Sequence, residues 1–176
     1  MKVLAADLSF AKTGVAVISV KDSKPTIDYA ALIVSNKNRS SIDRIDDTVT
    51  EIKLVASKVG VETVLKEASI IRQISSATPV IKTHAVFEHE LGNKYVIEDI
   101  SNSTVKAWAR TVTKSDGKRK DKEMVAEAVE KYYDRRIDEI WTARGKLIDD
   151  VADAIAIATL WLEREGHIPT KYERSK

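Results

Sequence analysis

Four acidic residues stand where carboxylates do chemistry rather than solvation. Asp7 closes the apolar run Val3-Leu4-Ala5-Ala6, and such a run bounded by a turn reads as a strand buried on both faces. A bare carboxylate late in that strand is costly to desolvate unless a partner or a cation compensates. Glu67 lies near the end of a second short strand, Val61 to Ala68, at the carboxyl edge where open α/β sheets gather ligands. Asp150 and Asp153 are three residues apart, so on a helix they share one face. Each also has an ordinary reading: Asp7 can bond turn amides, and acids in a first helical turn complement the helix dipole. Brought together, the four would raise one another's pKa values. Hard divalent cations such as Mg²⁺, which prefer oxygen ligands, remove that penalty. Two such ions about 3.5–4 Å apart form a clamp for in-line displacement at a phosphodiester.

Other titratable groups are less specific. His84 and His89 lie on one expected helix, where lone histidines are more often packing or surface residues than metal ligands. Lysine plus arginine is 29 against 27 for aspartate plus glutamate, so the net charge of +2 decides little. The distribution is more informative. Lys106, Arg110, Lys114, Lys118, Arg119, Lys120 and Lys122 cluster against only Asp116 and Asp121. A solvated loop would look the same, but a local basic patch on a near-neutral chain with an acidic site is compatible with a nucleic-acid ligand.

At 176 residues the chain suits one domain with a core of useful size; residues 1–165 are expected to form it and 166–176 a flexible tail. No cysteine is present, which excludes disulfides, thiolate metal sites and a cysteine nucleophile and fits a reducing cytosol. No apolar run approaches the roughly 20 residues of a spanning helix. Met1-Lys2 leads straight into the first strand, leaving no room for a signal peptide. A cytoplasmic location is the expectation.

The elements that must position the acids follow in order. Thr13-Gly14 supplies a turn or bulge between the Asp7 strand and the apolar run Val15 to Ile18. Lys21 to Pro25 is a second turn, and Thr26 to Val34 a third strand, giving an antiparallel meander. Ile42, Ile45, Val49, Ile52 and Val55-Ala56 recur at helical spacing, capped by Ser40 or Ser41 and closed by Gly60. The Glu67 strand then returns beside the first by a helical crossover. Thr78-Pro79 predicts a helix start, with Val80, His84, Phe87 and Leu91 as its apolar face. A strand over 94–100, the capping cluster Ser101-Asn102-Ser103, helices over 104–113 and from Asp121, and an irregular stretch from Asp134 to Lys146 follow. Within that stretch, Ile137, Ile140 and Trp141 are the expected anchors. The last helix, from Ile148, is apolar almost all round and therefore buried, opening with Asp149 as cap and Asp150 and Asp153 on its first turns. Trp108 is read as core. The whole is a mixed five-stranded α/β sheet with helices on both faces.

These residues together carry a resemblance. The hairpin with Asp7, Glu67 on the fourth strand, Val105-Lys106-Ala107-Trp108 running to Asp121-Lys122-Glu123-Met124-Val125, and the helix Asp150-Val151-Ala152-Asp153-Ala154-Ile155-Ala156-Ile157-Ala158 resemble the RuvC family. Its members are Holliday-junction resolvases on the ribonuclease-H-like fold. The resemblance spans residues 2–162 in matching order. It implies Asp7, Glu67, Asp150 and Asp153 as catalytic, metal-binding acids. It also implies Mg²⁺ or Mn²⁺, two ions per site, with Lys106 and Lys122 on the DNA backbone; Arg110, Lys114, Lys118 and Arg119 of the basic patch are expected to bind DNA beside them. Family members act as homodimers that nick a four-way junction symmetrically, leaving 5′-phosphate ends. Three features depart from bacterial members. Ile70 stands where an aromatic residue is usual, Ser75-Ser76-Ala77-Thr78-Pro79 replaces a Gly- and Arg-containing helix start, and the Asp134–Lys146 segment is long. In these the chain looks more like the divergent phage and viral branch, acting in a bacterial cell or phage-infected host, whose members accept forks and other branched DNA.

Two other functions remain compatible with the sequence: a ribonuclease-H-like nuclease on RNA or hybrid duplexes, and a non-catalytic dimer that binds branched DNA. A sugar-kinase or actin-like ATPase also begins with a strand, an Asp and a hairpin. It would want glycine after the acid and a later Gly-rich loop, whereas Leu8 and six glycines in all offer neither.

Overall fold

The computed structural model describes residues 1–68, 74–115 and 121–172, with residues 74–77 described by backbone alone. Strands β1 (Lys2–Asp7), β2 (Lys12–Lys21), β3 (Lys24–Val34), β4 (Thr63–Glu67) and β5 (Val96–Ile100) form one sheet in the order β3-β2-β1-β4-β5. β1 pairs antiparallel with β2, and β2 with β3; β4 runs parallel to β1, and β5 to β4. The expected mixed five-stranded sheet is therefore present. β1 is central because Val3, Leu4, Ala5 and Ala6 have no exposed surface and two neighbours take up its backbone groups.

Alternation along the strands splits the core in two. On one face Leu4, Ala6, Val15, Val17 and Val64 pack under α1 (Ser41–Val59) and α2 (Ile74–Gly92), with Ile45, Val49, Ile52, Phe87 and Leu91. On the other face Val3, Ala5, Ala16, Ile18 and Leu65 meet α3 (Asn102–Thr113), α4 (Asp121–Tyr133) and α5 (Asp149–Arg164). α5 supplies ten buried residues from Val151 to Leu162, which accounts for its being apolar nearly all round. Ser40 caps α1 by accepting from the Asp43 amide, and Gly60 closes it at φ 71°, as the sequence predicts. Trp108 is 7% exposed and belongs to the core, its indole N–H donating to Glu163 at 2.8 Å.

Four expectations need correction. Gly14 is not in the turn: it lies inside β2 opposite Asp7, while Ser9 and Thr13 bond one another across the bend at 3.3 and 3.1 Å. α2 begins at Ile74, so Pro79 falls inside it. One missing amide costs the helix one bond, and the buried Phe87 and Leu91 anchor its later turns. Asp149 does not cap α5; Ile148 holds the cap position without a side-chain bond, and Asp149 pairs with Lys122 instead. The segment expected to be a loose tail is held to the body as far as Tyr172. Ile168 is 2% exposed, and the Lys171 ammonium donates to the Tyr132 carbonyl at 2.7 Å.

Candidate active site

Parallel pairing of β1 with β4 sets Ala6 beside Lys66, so the next residue on each strand, Asp7 and Glu67, ends its strand at the same level. Both follow residues of the α5 face, Ala5 and Leu65, by one period of two and therefore point to that face. The first turn of α5 is brought onto β2 by Gly14. A Cβ at that position would stand 1.8 Å from the Asp150 carbonyl oxygen and 2.7 Å from the Val151 amide nitrogen. Glycine in a strand interior here serves a close backbone approach. The result is that Asp150 and Asp153 are carried to the strand ends, and the four acids predicted from sequence lie within electrostatic reach of one another.

Their crowding shows in their protonation. Burial, then a hydrogen bond donated to Glu67, then the charges of Glu67, Asp153 and Asp150 push the Asp7 carboxyl up to about 9. Burial and the neighbouring Glu67, Asp149 and Asp150 raise Asp153 to about 7, Lys122 opposing. Asp150 is raised by burial and by Asp149. Asp149 moves the other way: burial would raise it, but the Lys122 hydrogen bond and charge outweigh that. The cluster relieves its mutual repulsion by keeping protons.

The donor set suits a hard divalent cation on this ground: it is all oxygen, it is partly desolvated, and it holds protons a cation would displace. The side chains are not drawn into a closed cage, and among the described residues no three acids or histidines stand ready-made around one ion position. Glu67 is further fixed by Asn102 at the start of α3, whose amide donates to its Oε1 at 2.5 Å. Sequence reasoning placed Asn102 only in a capping cluster and Gly14 only in a turn. The available signal was a glycine two residues into an apolar strand; nothing marked Asn102.

Three of the expected basic residues are already engaged. Lys106 pairs with Asp121 at 3.0 Å and Arg110 with the same carboxylate at 3.8 Å. Lys122 pairs with Asp149 beside the acids. Lys114 is exposed at the C-cap of α3 with φ 56°. Lys118, Arg119 and Ile70 lie outside the described residues. The two histidines do not form a ligand pair. His84 is 6% exposed with Nδ1 3.4 Å from the Lys66 ammonium, and burial and that ammonium hold its pKa low; His89 is exposed.

A sheet with three antiparallel and two parallel strands, a single acid ending each of β1 and β4, and an acidic pair on the first turns of a buried helix define a ribonuclease-H-like fold of the RuvC type. No protein-family model matches the chain, and no curated protein sequence does. Solved structures do. RuvC of Thermus thermophilus, in complex with a Holliday-junction substrate, superposes with a TM-score of 0.69 at 19% identity, over 95% of this chain and 98% of that one. The yeast mitochondrial Holliday-junction resolvase gives 0.65 at 18%, over 94% and 79%. The fowlpox virus resolvase, solved with its substrate Holliday-junction DNA, gives 0.60 at 11%, over 94% and 99%. Bacterial, fungal and viral resolvases thus share this chain's fold.

Proposed function

We propose that the protein is a divalent-metal-dependent endonuclease that cleaves phosphodiesters in four-way junctions and other branched DNA. The observation that carries this reading is the gathering of Asp7, Glu67, Asp150 and Asp153 at one end of the sheet, with Asp7 pushed up to about 9. The shared fold with resolvases solved on junction DNA supports the substrate class. Asp7, Glu67, Asp150 and Asp153 would hold Mg²⁺ or Mn²⁺, two ions per site. Bound there, the metal supplies charge neutralisation at the scissile phosphate and a more acidic water. Asn102 keeps the Glu67 carboxylate turned toward Asp7. Lys122, 72% exposed at its side chain, would be free to turn from Asp149 to a phosphate of the bound DNA. Lys106, Arg110 and Lys114, with Lys118 and Arg119 of the same run, are assigned to the backbone on the α3–α4 side. Such contacts position the duplex without reading sequence. A homodimer would set two sites against a junction for paired, symmetric nicks with 5′-phosphate ends, and a cytoplasmic location accompanies this reading.

The test is incubation with a labelled four-way junction, matched linear duplex, fork and RNA–DNA hybrid, each with Mg²⁺, with Mn²⁺ and with chelator, beside Asp7→Asn. Metal-dependent paired nicks in the junction, absent in Asp7→Asn, are the expected result. Preferential cutting of the hybrid would transfer the protein to the ribonuclease reading. Junction binding without cutting under any metal would leave only a DNA-binding role.

A further inference from the structure

The irregular stretch before α5 contains a small, well-built hairpin that the acidic site does not use. It follows a single 3₁₀ turn, Asp138–Ile140. Trp141 bridges Leu147, the Thr142 amide donates to the Lys146 carbonyl at 2.8 Å, and Gly145 turns the chain at φ 73° with its amide on the Thr142 carbonyl at 2.8 Å. The Thr142 hydroxyl also accepts from the Lys146 amide at 2.9 Å. At its root, Ile137 and Ile140 are fully buried, and the Ile148 amide donates to the Ile140 carbonyl at 2.8 Å. The next residues are Asp149 and Asp150, so the hairpin is fastened directly to the first turn of α5.

The tip is cationic. Arg144 and Lys146 are exposed, and among the described residues neither pairs with an acid, unlike Lys106, Arg110 and Lys122. Lys146 is four and Arg144 six residues before Asp150, so their backbones lie within roughly 14 and 21 Å of it. At about 3.4 Å per nucleotide step along one strand, both fall within about six nucleotides of a phosphate held at the acids.

The base of the hairpin has a different chemistry. Glu130, Arg136, Trp141 and Gly145 line a cleft of about 490 Å³. Trp141 is half-buried, and its orientation is fixed by its N–H donating to Glu130 Oε1 at 2.9 Å; the Ile137 amide donates to the same oxygen at 3.2 Å. The Arg136 guanidinium stands 5.7 Å from the indole centre. Glu130 would repel a phosphate. Its second oxygen can accept from the exocyclic amine of a nucleobase, while a fixed indole and a guanidinium offer surfaces for stacking.

We propose that this hairpin is a second nucleic-acid contact, Arg144 and Lys146 holding backbone phosphates and the Trp141 cleft taking an unpaired base of branched DNA. The inference rests on the branched-DNA reading and extends it: the chain would favour substrates whose branch point offers an unpaired base to Trp141.

Intrinsic fluorescence tests it, because Trp108 and Trp161 are 7% and 4% exposed and Trp141 is the tryptophan a base can reach. Binding is measured in chelator with a four-way junction carrying unpaired central bases and with the matched linear duplex, across 50–200 mM salt. The expected result is quenching by the junction and little by the duplex. Trp141→Phe, which keeps a ring in the fold, should lose most of the quench, and Trp141→Ala should weaken junction binding about tenfold, a fall consistent with losing one stacked base. Arg144→Ala with Lys146→Ala, at exposed positions, should lower the salt slope of log K by about 1.8 for two lost phosphate contacts while leaving the quench at saturation. Unchanged affinity and slope in these variants, with wild-type binding intact, overturns the hairpin contact alone. Failure of the wild-type protein to bind either DNA overturns the branched-DNA reading and the hairpin contact with it.

Discussion

Gly14 and Asp150 meet backbone to backbone: a Cβ at residue 14 would lie 1.8 Å from the Asp150 carbonyl oxygen. Because Gly14 is also the register partner of Asp7, this one contact fixes how far the acids of α5 stand from the acid of β1. The neighbour that would have to yield is backbone at the start of a fully packed helix, so it cannot swing aside as a side chain could.

Gly14→Ala should therefore push the first turn of α5 off the sheet. The expected cost is about 1–3 kcal/mol of stability, as for other overpacked interiors, together with loss of metal binding and cleavage. Gly92→Ala is the control, since the nearest atom to its added methyl, Ile97 Cδ1, is 3.8 Å away. Thermal melts and a Mn²⁺ titration on both variants decide it. A Gly14→Ala protein that binds metal as the parent does would show the contact to be incidental.

Protonation of Asp7 gives the second prediction. In the folded, metal-free protein its carboxyl is raised from an ordinary 3.8 to about 9, so between those values the folded chain holds a proton the unfolded chain has released. Stability then falls as pH rises through that window. Asp153, raised to about 7, adds to the fall over the lower part. Asp7→Asn cannot ionise, so its melting temperature should exceed the parent's by a margin that grows from pH 4 to pH 9. Mg²⁺ should raise the parent's melting temperature most at the alkaline end and barely move the variant. Parallel pH profiles for the two proteins would remove Asp7 from the cluster.

Asn102 gives the third. Its amide reaches Glu67 at 2.5 Å, and Glu67 in turn accepts from Asp7, so Asn102→Ala frees the glutamate to rotate. Loss of such an outer partner typically weakens metal affinity about 10–100-fold. The Mg²⁺ concentration for half-maximal cleavage should rise by that order with little change in the rate at saturation, and Asn102→Gln should restore part of it. A fall in saturated rate at unchanged metal requirement would place Asn102 elsewhere in the reaction.

The strands and the acids were legible in the sequence because each depends on local pattern. The run Val3 to Ala6 marks a buried strand, and Asp150 with Asp153 share a helix face by spacing alone. What sequence could not supply were contacts between distant segments. Gly14 reads as a turn until α5 is laid against it, and Asn102 reads as a cap residue until β4 brings Glu67 alongside. The start of α2 was misplaced because Thr78-Pro79 is a strong local signal, yet the helix already runs from Ile74. The hairpin of 141–147 was invisible as structure since its stability comes from Ile137 and Ile140 in the core rather than from strand-like alternation.

Lys66 supports the last prediction. It neighbours Glu67 in sequence, yet alternation turns it to the opposite face of the sheet, where its side chain is 4% exposed between Glu88 at 3.0 Å and Asp99. A lysine beside an acidic site invites a role in phosphate binding, but this ammonium is walled off from the acids by the sheet itself. Lys66→Met keeps the buried chain length and removes a charge whose two partners are half in water, at 52% and 57% exposure. Because both acids reach water, they are resolvated once the ammonium is gone, and Lys66→Met should lose little of the stability that an enclosed, orphaned charge would cost. Lys66→Ala leaves the same two acids unpaired and adds a void in the sheet face, for a loss of about 2 kcal/mol or more. Urea unfolding should separate the two variants, and both, assayed below their melting temperatures, should cut junction DNA at the parental rate. A Lys66→Met protein that folds and melts normally but cannot cleave would mean that the ammonium acts on the reaction through Glu67.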